Sequence, residues 1–360
     1  MTAPAGVTER QGMTEPLLEV RGLKVDYGVG PAAVRAVVGA DLTLHRGEVL
    51  GLAGESGSGK STLAYAITRL LRPPGVITGG SVRLHLAPGA TRDLLAAGAA
   101  ELRGLRWNHL AVVLQSAMHA LNPVMPVGAQ LTDVLQAHRP DLDRAARRAR
   151  AGDLLEQVGI AAGRLGSYPH ELSGGMRQRV MIAMAIALDP QILIMDEPTT
   201  ALDVVTQREI LEELMALRHR LGFSVLFITH DLSLLIEIAD TIAVMYAGRL
   251  VETAAASELY MAPRHPYTLG LLRSFPSLHG PRKTMTGIAG SPPDLRQLPS
   301  GCVFHPRCGY AFDRCSTESP PFAEVMSGAR HASACWLQGA EQAPPPELAG
   351  EPVTVPGSPA

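Results

Sequence analysis

Apolar runs of strand length recur along the chain, separated by stretches with helical spacing. Residues 17–25, 38–44 and 80–86 alternate apolar and polar positions, the pattern of half-buried strands. Residues 48–53, 110–114, 191–195 and 224–229 are almost wholly apolar and predict strands covered on both faces. Two further strands are predicted over 241–246 and 249–252, joined by the turn Ala247-Gly248. Helical spacing runs over 127–155. Ser173 caps a helix to residue 188, and Asp203 caps another to residue 221. The Ala/Gly-rich stretch 88–100 reads as a loop with a weak helix. Strands alternating with helices predict an α/β fold around a mostly parallel sheet, with ligands at the strand C-terminal ends.

One strand carries chemistry. The apolar residues 48–53 lead into Gly54-Glu55-Ser56-Gly57-Ser58-Gly59-Lys60-Ser61, and a helical pattern opens at Thr62. Glycines in that position turn backbone N–H groups inward as an anion nest, and the helix N-terminus adds its positive dipole. Lys60 is placed to reach β- and γ-phosphates and Ser61 to ligate Mg²⁺. The chain has only three lysines, Lys24, Lys60 and Lys283, among 32 basic residues. A compact ammonium is kept where a rigid guanidinium fork would not fit.

Two more stretches add to this. The strand Ile192-Leu193-Ile194-Met195 delivers Asp196 and Glu197 to the same sheet edge, where one carboxylate can hold Mg²⁺ and its neighbour can polarise water. Leu172-Ser173-Gly174-Gly175 forms a second anion site on a helix N-terminus. Met181 and Met184 on that helix read as core packing. Arg144, Arg147, Arg148 and Arg150 read as a solvated helix face.

Composition narrows the classes. Net charge is −2, which argues against sequence-independent nucleic-acid binding. No apolar run approaches the roughly 18 residues of a membrane span. The polar first 16 residues do not look like a secretory signal, so a cytoplasmic chain is expected, with any membrane link made through a partner. Disulfides between its four cysteines are disfavoured there.

Together the residues 54–61, Gln115, Leu172-Ser173-Gly174-Gly175, Ile192 through Glu197, Ala201-Leu202-Asp203 and His230 resemble the nucleotide-binding subunit of an ABC transporter, over about residues 17–260. The resemblance implies a P-loop ATPase fold: a RecA-like core, an antiparallel β subdomain and a helical subdomain at about 116–190. It implies Gly54, Glu55, Ser56, Gly57, Ser58, Gly59, Lys60, Ser61 and Thr62 as the ATP-binding loop and Gln115 as the Q-loop. Ser173, Gly174 and Gly175 become the signature and Asp203 the D-loop. Asp196, Ser61 and Gln115 become Mg²⁺ ligands, and Glu197, Gln115 and His230 the catalytic set. Tyr27 is the aromatic expected to stack on adenine. The signature carries Met176 in place of the usual Gln, a departure typical of one ATPase subunit of dipeptide and oligopeptide permeases.

Composition changes after Tyr260. Arg264-His265-Pro266-Tyr267-Thr268, Gly290-Ser291-Pro292-Pro293-Asp294-Leu295 and the stretch 298–308 resemble the end of ATPases from oligopeptide, dipeptide and nickel importers. A loop-rich C-terminal domain over 261–337 holds Cys302, Cys308, Cys315 and Cys335; residues 1–16 and 338–360 are expected to be disordered. No C-x-x-C pair exists, so spacing alone is a weak metal signal. Four thiols in one short unit suit a metal centre. Because some relatives with this motif carry a [4Fe–4S] cluster, that is expected first and Zn²⁺ second, with inert packed cysteines as the remaining reading. Nothing in the sequence places them near residues 54–61.

The implied function is ATP hydrolysis powering import of di- or oligopeptides, with nickel or glutathione as alternative cargo. Implied partners are two membrane permease subunits, a second ATPase subunit arranged head-to-tail as a heterodimer, and an extracytoplasmic substrate-binding protein. The chain would sit on the cytoplasmic face of the membrane. A soluble ABC ATPase of translation or DNA repair is the competing class, but such chains carry paired cassettes or a long coiled coil. A vestigial structural or metal-sensing protein would not need Glu197 and His230.

Overall fold

The computed structural model describes residues 15–115, 120–199, 202–274, 287–325, 330–339 and 343–349. Two sheets organise them. The first is antiparallel, in the order β2-β1-β4-β5: β1 (Pro16–Tyr27), β2 (Val34–His45), β4 (Gly75–Ala87) and β5 (Ala90–Asp93). Its alternating residues bury Leu18, Val20, Val25, Leu42, Val82 and Leu84. Strand β5 stands where a loop was expected. Four mostly polar residues give no apolar alternation, yet Gly89 turns the chain at φ +78° and Thr91 pairs opposite His85. Helix α2 (Ala99–Leu105) adds Leu102 and Leu105 to the same core.

The second sheet has the order β11-β12-β10-β9-β3-β8-β7-β6. Its centre is parallel: β3 (Val49–Ala53), β6 (Leu110–Val113), β7 (Ile192–Asp196), β8 (Ser224–Ile228) and β9 (Thr241–Tyr246). Every residue of β3, β7 and β8 is buried, as their apolar runs require. Each Leu, Ile or Val so buried contributes about 1.5–3 kcal/mol. Leu52 and Asp196 both lie opposite Ile228, so three strands end together and release residues 54, 197 and 229 at one edge. Helix α1 (Lys60–Ile67) leaves that edge directly after β3.

The helical pattern over 127–155 is two helices, α3 (Val127–His138) and α4 (Arg144–Gln157). Pro140 has no N–H to continue the first and disfavours helical backbone at Arg139. Asp143 starts the second by accepting the Ala146 N–H at 2.8 Å. Arg144 and Arg148 are exposed, and Arg150 pairs with Asp189 at 2.9 Å. Helix α5 (Gly174–Ala185) packs against these, with Met181 and Met184 against the core. Helix α6 (Val204–Leu221) follows β7, and α7 (Leu232–Ile238) follows β8.

The C-terminal part returns to the main sheet. After β10 (Arg249–Ala255) come α8 (Ala256–Met261), α9 (Pro266–Ser274), α10 (Asp313–Thr317), β11 (Ala323–Glu324) and β12 (Ala332–Ser333). Strand β12 pairs antiparallel with β10, Glu252 opposite Ser333. Fully buried Glu252 pins this junction. Its carboxylate accepts the N–H groups of Arg264 (2.5 Å) and His265 (3.0 Å), and His331 Nε2 lies 2.7 Å away.

Disorder was expected from residue 338 onward, but residues 343–349 are packed. Leu348 is fully buried with Leu269 and Leu337, and Glu347 pairs with Arg273 at 2.6 Å and accepts the Tyr310 hydroxyl. One apolar side chain and two polar anchors outweigh the Pro-rich composition. Residues 1–14 and 350–360, also expected to be disordered, lie outside the described residues.

Candidate nucleotide-binding site

The loop 54–61 is threaded between β2 and β9. Gly54 adopts φ +148°, and a Cβ there would meet the Met245 carbonyl oxygen at 2.2 Å. Gly59 adopts φ +105°, where a Cβ would meet the Ala36 carbonyl oxygen at 2.4 Å. Only glycine fits either position. Gly248 N–H donates to the Ser58 carbonyl at 2.9 Å and fastens the loop from the β9–β10 turn. Buried Lys60 curls back and donates through Nζ to the carbonyls of Gly54 (2.7 Å) and Glu55 (2.9 Å). Burial lowers its pKa, while Glu197, Asp196 and Glu55 hold the charge on it. The ammonium thus spans the concavity of the loop. Thr62 Oγ1 lies 3.3 Å from the Tyr27 hydroxyl, which brings the end of β1 beside α1.

Ser61 Oγ donates to Asp196 Oδ1 at 3.0 Å. Oδ2 of Asp196 is buried and has no hydrogen-bond partner. Burial raises this carboxyl's pKa, with Glu197 adding to the rise and Ser61 and Lys60 opposing it. An orphaned carboxylate oxygen beside a hydroxyl is a donor set suited to a hard cation such as Mg²⁺.

Glu197 follows at φ +46°, a left-handed conformation uncommon for a non-glycine residue. Its N–H donates to the Ile228 carbonyl at 2.9 Å. Gln115 Nε2 donates to Glu197 Oε2 at 3.1 Å, and His230 Nδ1 lies 3.4 Å from Oε1. Side chains from the ends of β6, β7 and β8 therefore meet at the P-loop.

The residues expected as the signature make their contacts with α5 and α6. Ser173 is exposed, and its hydroxyl accepts the Met176 N–H at 3.2 Å as the cap of α5. A Cβ on Gly175 would meet Thr206 Cγ2 at 2.7 Å, so the glycine lets α5 approach α6. Asp203 caps α6 and accepts both the N–H (3.0 Å) and the hydroxyl (2.8 Å) of that same Thr206. Val204 and Val205 beside it are 81% and 70% exposed. Ala201 and residues 116–119 lie outside the described residues.

The C-terminal part reaches the P-loop through Tyr267 and Arg307, a contact that nothing in the sequence indicates. Glu55 N–H donates to the Tyr267 hydroxyl at 2.8 Å, and Arg307 forms a two-pronged ion pair with the Glu55 carboxylate. Arg307 lies within the stretch singled out for its cysteines, but no sequence signal joins positions 252 residues apart. Cys308 follows this arginine directly in the chain. Cys302 N–H donates to the Cys315 carbonyl at 2.8 Å. Burial pushes Cys308 up to about 11 and Cys335 up to about 12, with neighbouring cysteines adding to each rise. Among the described residues, no three His, Cys, Asp or Glu side chains are grouped to hold a metal ion.

Comparison with known proteins gives two family matches. Residues 37–200 match the ABC transporter family, and residues 251–315 match the oligopeptide/dipeptide transporter C-terminal region. The oligopeptide transport ATP-binding protein OppD of Bacillus subtilis is 42% identical over 337 residues, 92% of each chain. The dipeptide transport ATP-binding protein DppD of Escherichia coli is 43% identical over 314 residues, 87% of this chain and 94% of that one. Among solved structures, the dimeric ATP-binding cassette MJ0796 bound to ADP and Pi superposes with a TM-score of 0.58 at 26% identity. It covers 66% of this chain and 98% of its own.

Proposed function

Because the chain belongs to the ATP-binding subunits of ABC transporters of the oligopeptide/dipeptide type, we propose that it hydrolyses ATP to drive import of di- or oligopeptides. The observation that carries the chemistry is the Glu197 carboxylate, held by Gln115 on one oxygen and His230 on the other, next to Asp196 and Ser61.

In this proposal Lys60 and backbone N–H groups of the loop other than that of Glu55 bind the phosphates, and Tyr27 stacks on adenine. Ser61 and Asp196, with Gln115, hold Mg²⁺, which when bound neutralises charge on the β- and γ-phosphates. Glu197 orients and polarises the attacking water, and His230 steadies it from the far side. Ser173, Gly174 and Gly175 act on the nucleotide of a partner subunit, with Asp203 at the same interface. Support comes from the exposure of Ser173, Val204 and Val205 and from the dimeric cassette to which the chain is similar. The partners are a second ATPase subunit arranged head-to-tail, two membrane permeases and an extracytoplasmic binding protein. Among the described residues no helix is long and apolar enough to cross a membrane, so a peripheral place on the cytoplasmic face rests on those permeases.

Cys302, Cys308, Cys315 and Cys335 hold a [4Fe–4S] cluster in this proposal, with Zn²⁺ as the alternative. Support comes from four thiols in one C-terminal unit, which the cluster would have to draw together, since among the described residues no three such side chains are grouped around a metal position.

The test is fluorescent-ATP binding to the purified chain, followed by peptide-stimulated ATPase activity in the assembled complex. Binding abolished by Lys60→Ala, with turnover raised by peptide-loaded binding protein, supports the proposal. Binding indifferent to Lys60, or turnover indifferent to peptide, removes the corresponding half.

A further inference from the structure

Glu55 occupies the second position of the phosphate loop, and both its backbone and its side chain are taken by residues outside the cassette motifs. Its N–H donates to the Tyr267 hydroxyl at 2.8 Å. Its carboxylate accepts from Arg307 twice, Nη1 to Oε2 at 2.7 Å and Nη2 to Oε1 at 3.0 Å. Arg307 is itself fully engaged. Nε donates to the Ala289 carbonyl at 2.8 Å, Nη1 also to the Tyr246 hydroxyl at 3.4 Å, and Nη2 also to the Gly290 carbonyl at 3.5 Å. The arginine side chain is only 5% exposed. Tyr267 is anchored in a ring cluster, its centroid 4.6 Å from Tyr246 and 5.4 Å from Phe304.

Two physical effects follow. A bidentate guanidinium–carboxylate pair fixes direction as well as distance, so it sets the path of the loop between Gly54 and Gly57. It also cancels a negative charge at the mouth of a site that must accept a polyphosphate. Without Arg307, the Glu55 carboxylate would face the incoming anion uncompensated, in a partly buried place where screening is weak.

We propose that Arg307 and Tyr267 are positioning residues of the ATP site, latching the phosphate loop from the cysteine-bearing C-terminal unit. This rests on the ATP-binding function proposed above. Because Arg307 directly precedes Cys308, the backbone that carries the cysteines also carries the latch. The state of that unit is therefore felt in nucleotide affinity.

The experiment is a double-mutant cycle on fluorescent-ATP binding by the full chain, with Lys60→Ala as the control for specific binding. Arg307→Ala is expected to raise Kd about tenfold, within the range of measured couplings between paired charges. Adding Glu55→Ala to it should restore most of the affinity, because the uncompensated carboxylate is gone. Tyr267→Phe keeps the ring packing and removes the hydroxyl, which covers an Arg307 variant that fails to fold. It should raise the KM for ATP several-fold with kcat little changed in the assembled complex. Independent, additive effects of Arg307 and Glu55, or Tyr267→Phe with unaltered KM, would overturn the latch while leaving ATP binding intact. A wild-type chain without Lys60-dependent binding would overturn both.

Discussion

The Gln115 amide donates to one oxygen of Glu197 at 3.1 Å, while His230 Nδ1 stands 3.4 Å from the other. A carboxylate held at both oxygens from two separate strand ends is oriented before any substrate arrives. Glu197→Gln keeps the shape but removes the charge that polarises water. ATP binding should be retained, and turnover of the assembled complex should fall by a factor of about 10²–10⁴. Wild-type turnover in that variant would reject Glu197 as the catalytic group.

Ser173 is exposed at the start of α5, and its hydroxyl spends its acceptor capacity on Met176 of its own helix. Ser173→Arg places a bulky cation on that surface without touching the P-loop. ATP affinity of the isolated chain should be unchanged, and ATP-dependent association measured by light scattering should be lost. Normal association would show that this surface does not meet a partner's nucleotide.

His265 is buried with Nδ1 accepting the Tyr267 N–H at 3.0 Å, and burial lowers its pKa from 6.5 to about 3. The unfolded chain takes up a proton below pH 6.5, but the native chain does not until about pH 3. Stability is therefore complete above pH 6.5 and is lost progressively as pH falls toward 3. His265→Asn keeps an acceptor and does not titrate. The difference in melting temperature between wild type and variant should shift in favour of the variant as pH drops from 7 to 5. A difference independent of pH would show that another group dominates.

The four cysteines provide a compositional test. Anaerobically purified protein should be brown, absorbing near ~400 nm, with about four iron atoms per chain. Colourless protein with one zinc would establish the alternative, and metal-free protein with four titratable thiols would dismiss both. Cys308→Ser, which sequence considerations alone would leave neutral for nucleotide binding, should now weaken it through Arg307.

The site's inner cluster was legible because each part follows its own strand. Apolar runs announce β3, β7 and β8, and parallel register brings Gly54, Glu197 and His230 to one edge. Local chemistry also announces the caps at Ser173 and Asp203. Illegible were the features made by distant partners. Strand β5 has no apolar pattern, the order at Leu348 depends on Leu269 and Leu337, and Arg307 has no meaning until the fold carries it to Glu55. The break at 139–143 has its signals in Pro140 and Asp143, but the helical spacing on either side hides it from a reading by periodicity.

The pairing of Glu55 with Arg307 also sets an order of events during synthesis. The two residues are 252 positions apart. At about 5–20 residues per second, roughly 10–50 s separate their appearance. The phosphate loop and its lysine are thus made early, within a nascent chain that lacks the counter-charge for Glu55. A ribosome-bound cassette stopped before residue 307 holds an unlatched loop, and nucleotide capture in its final form waits for nearly the whole chain.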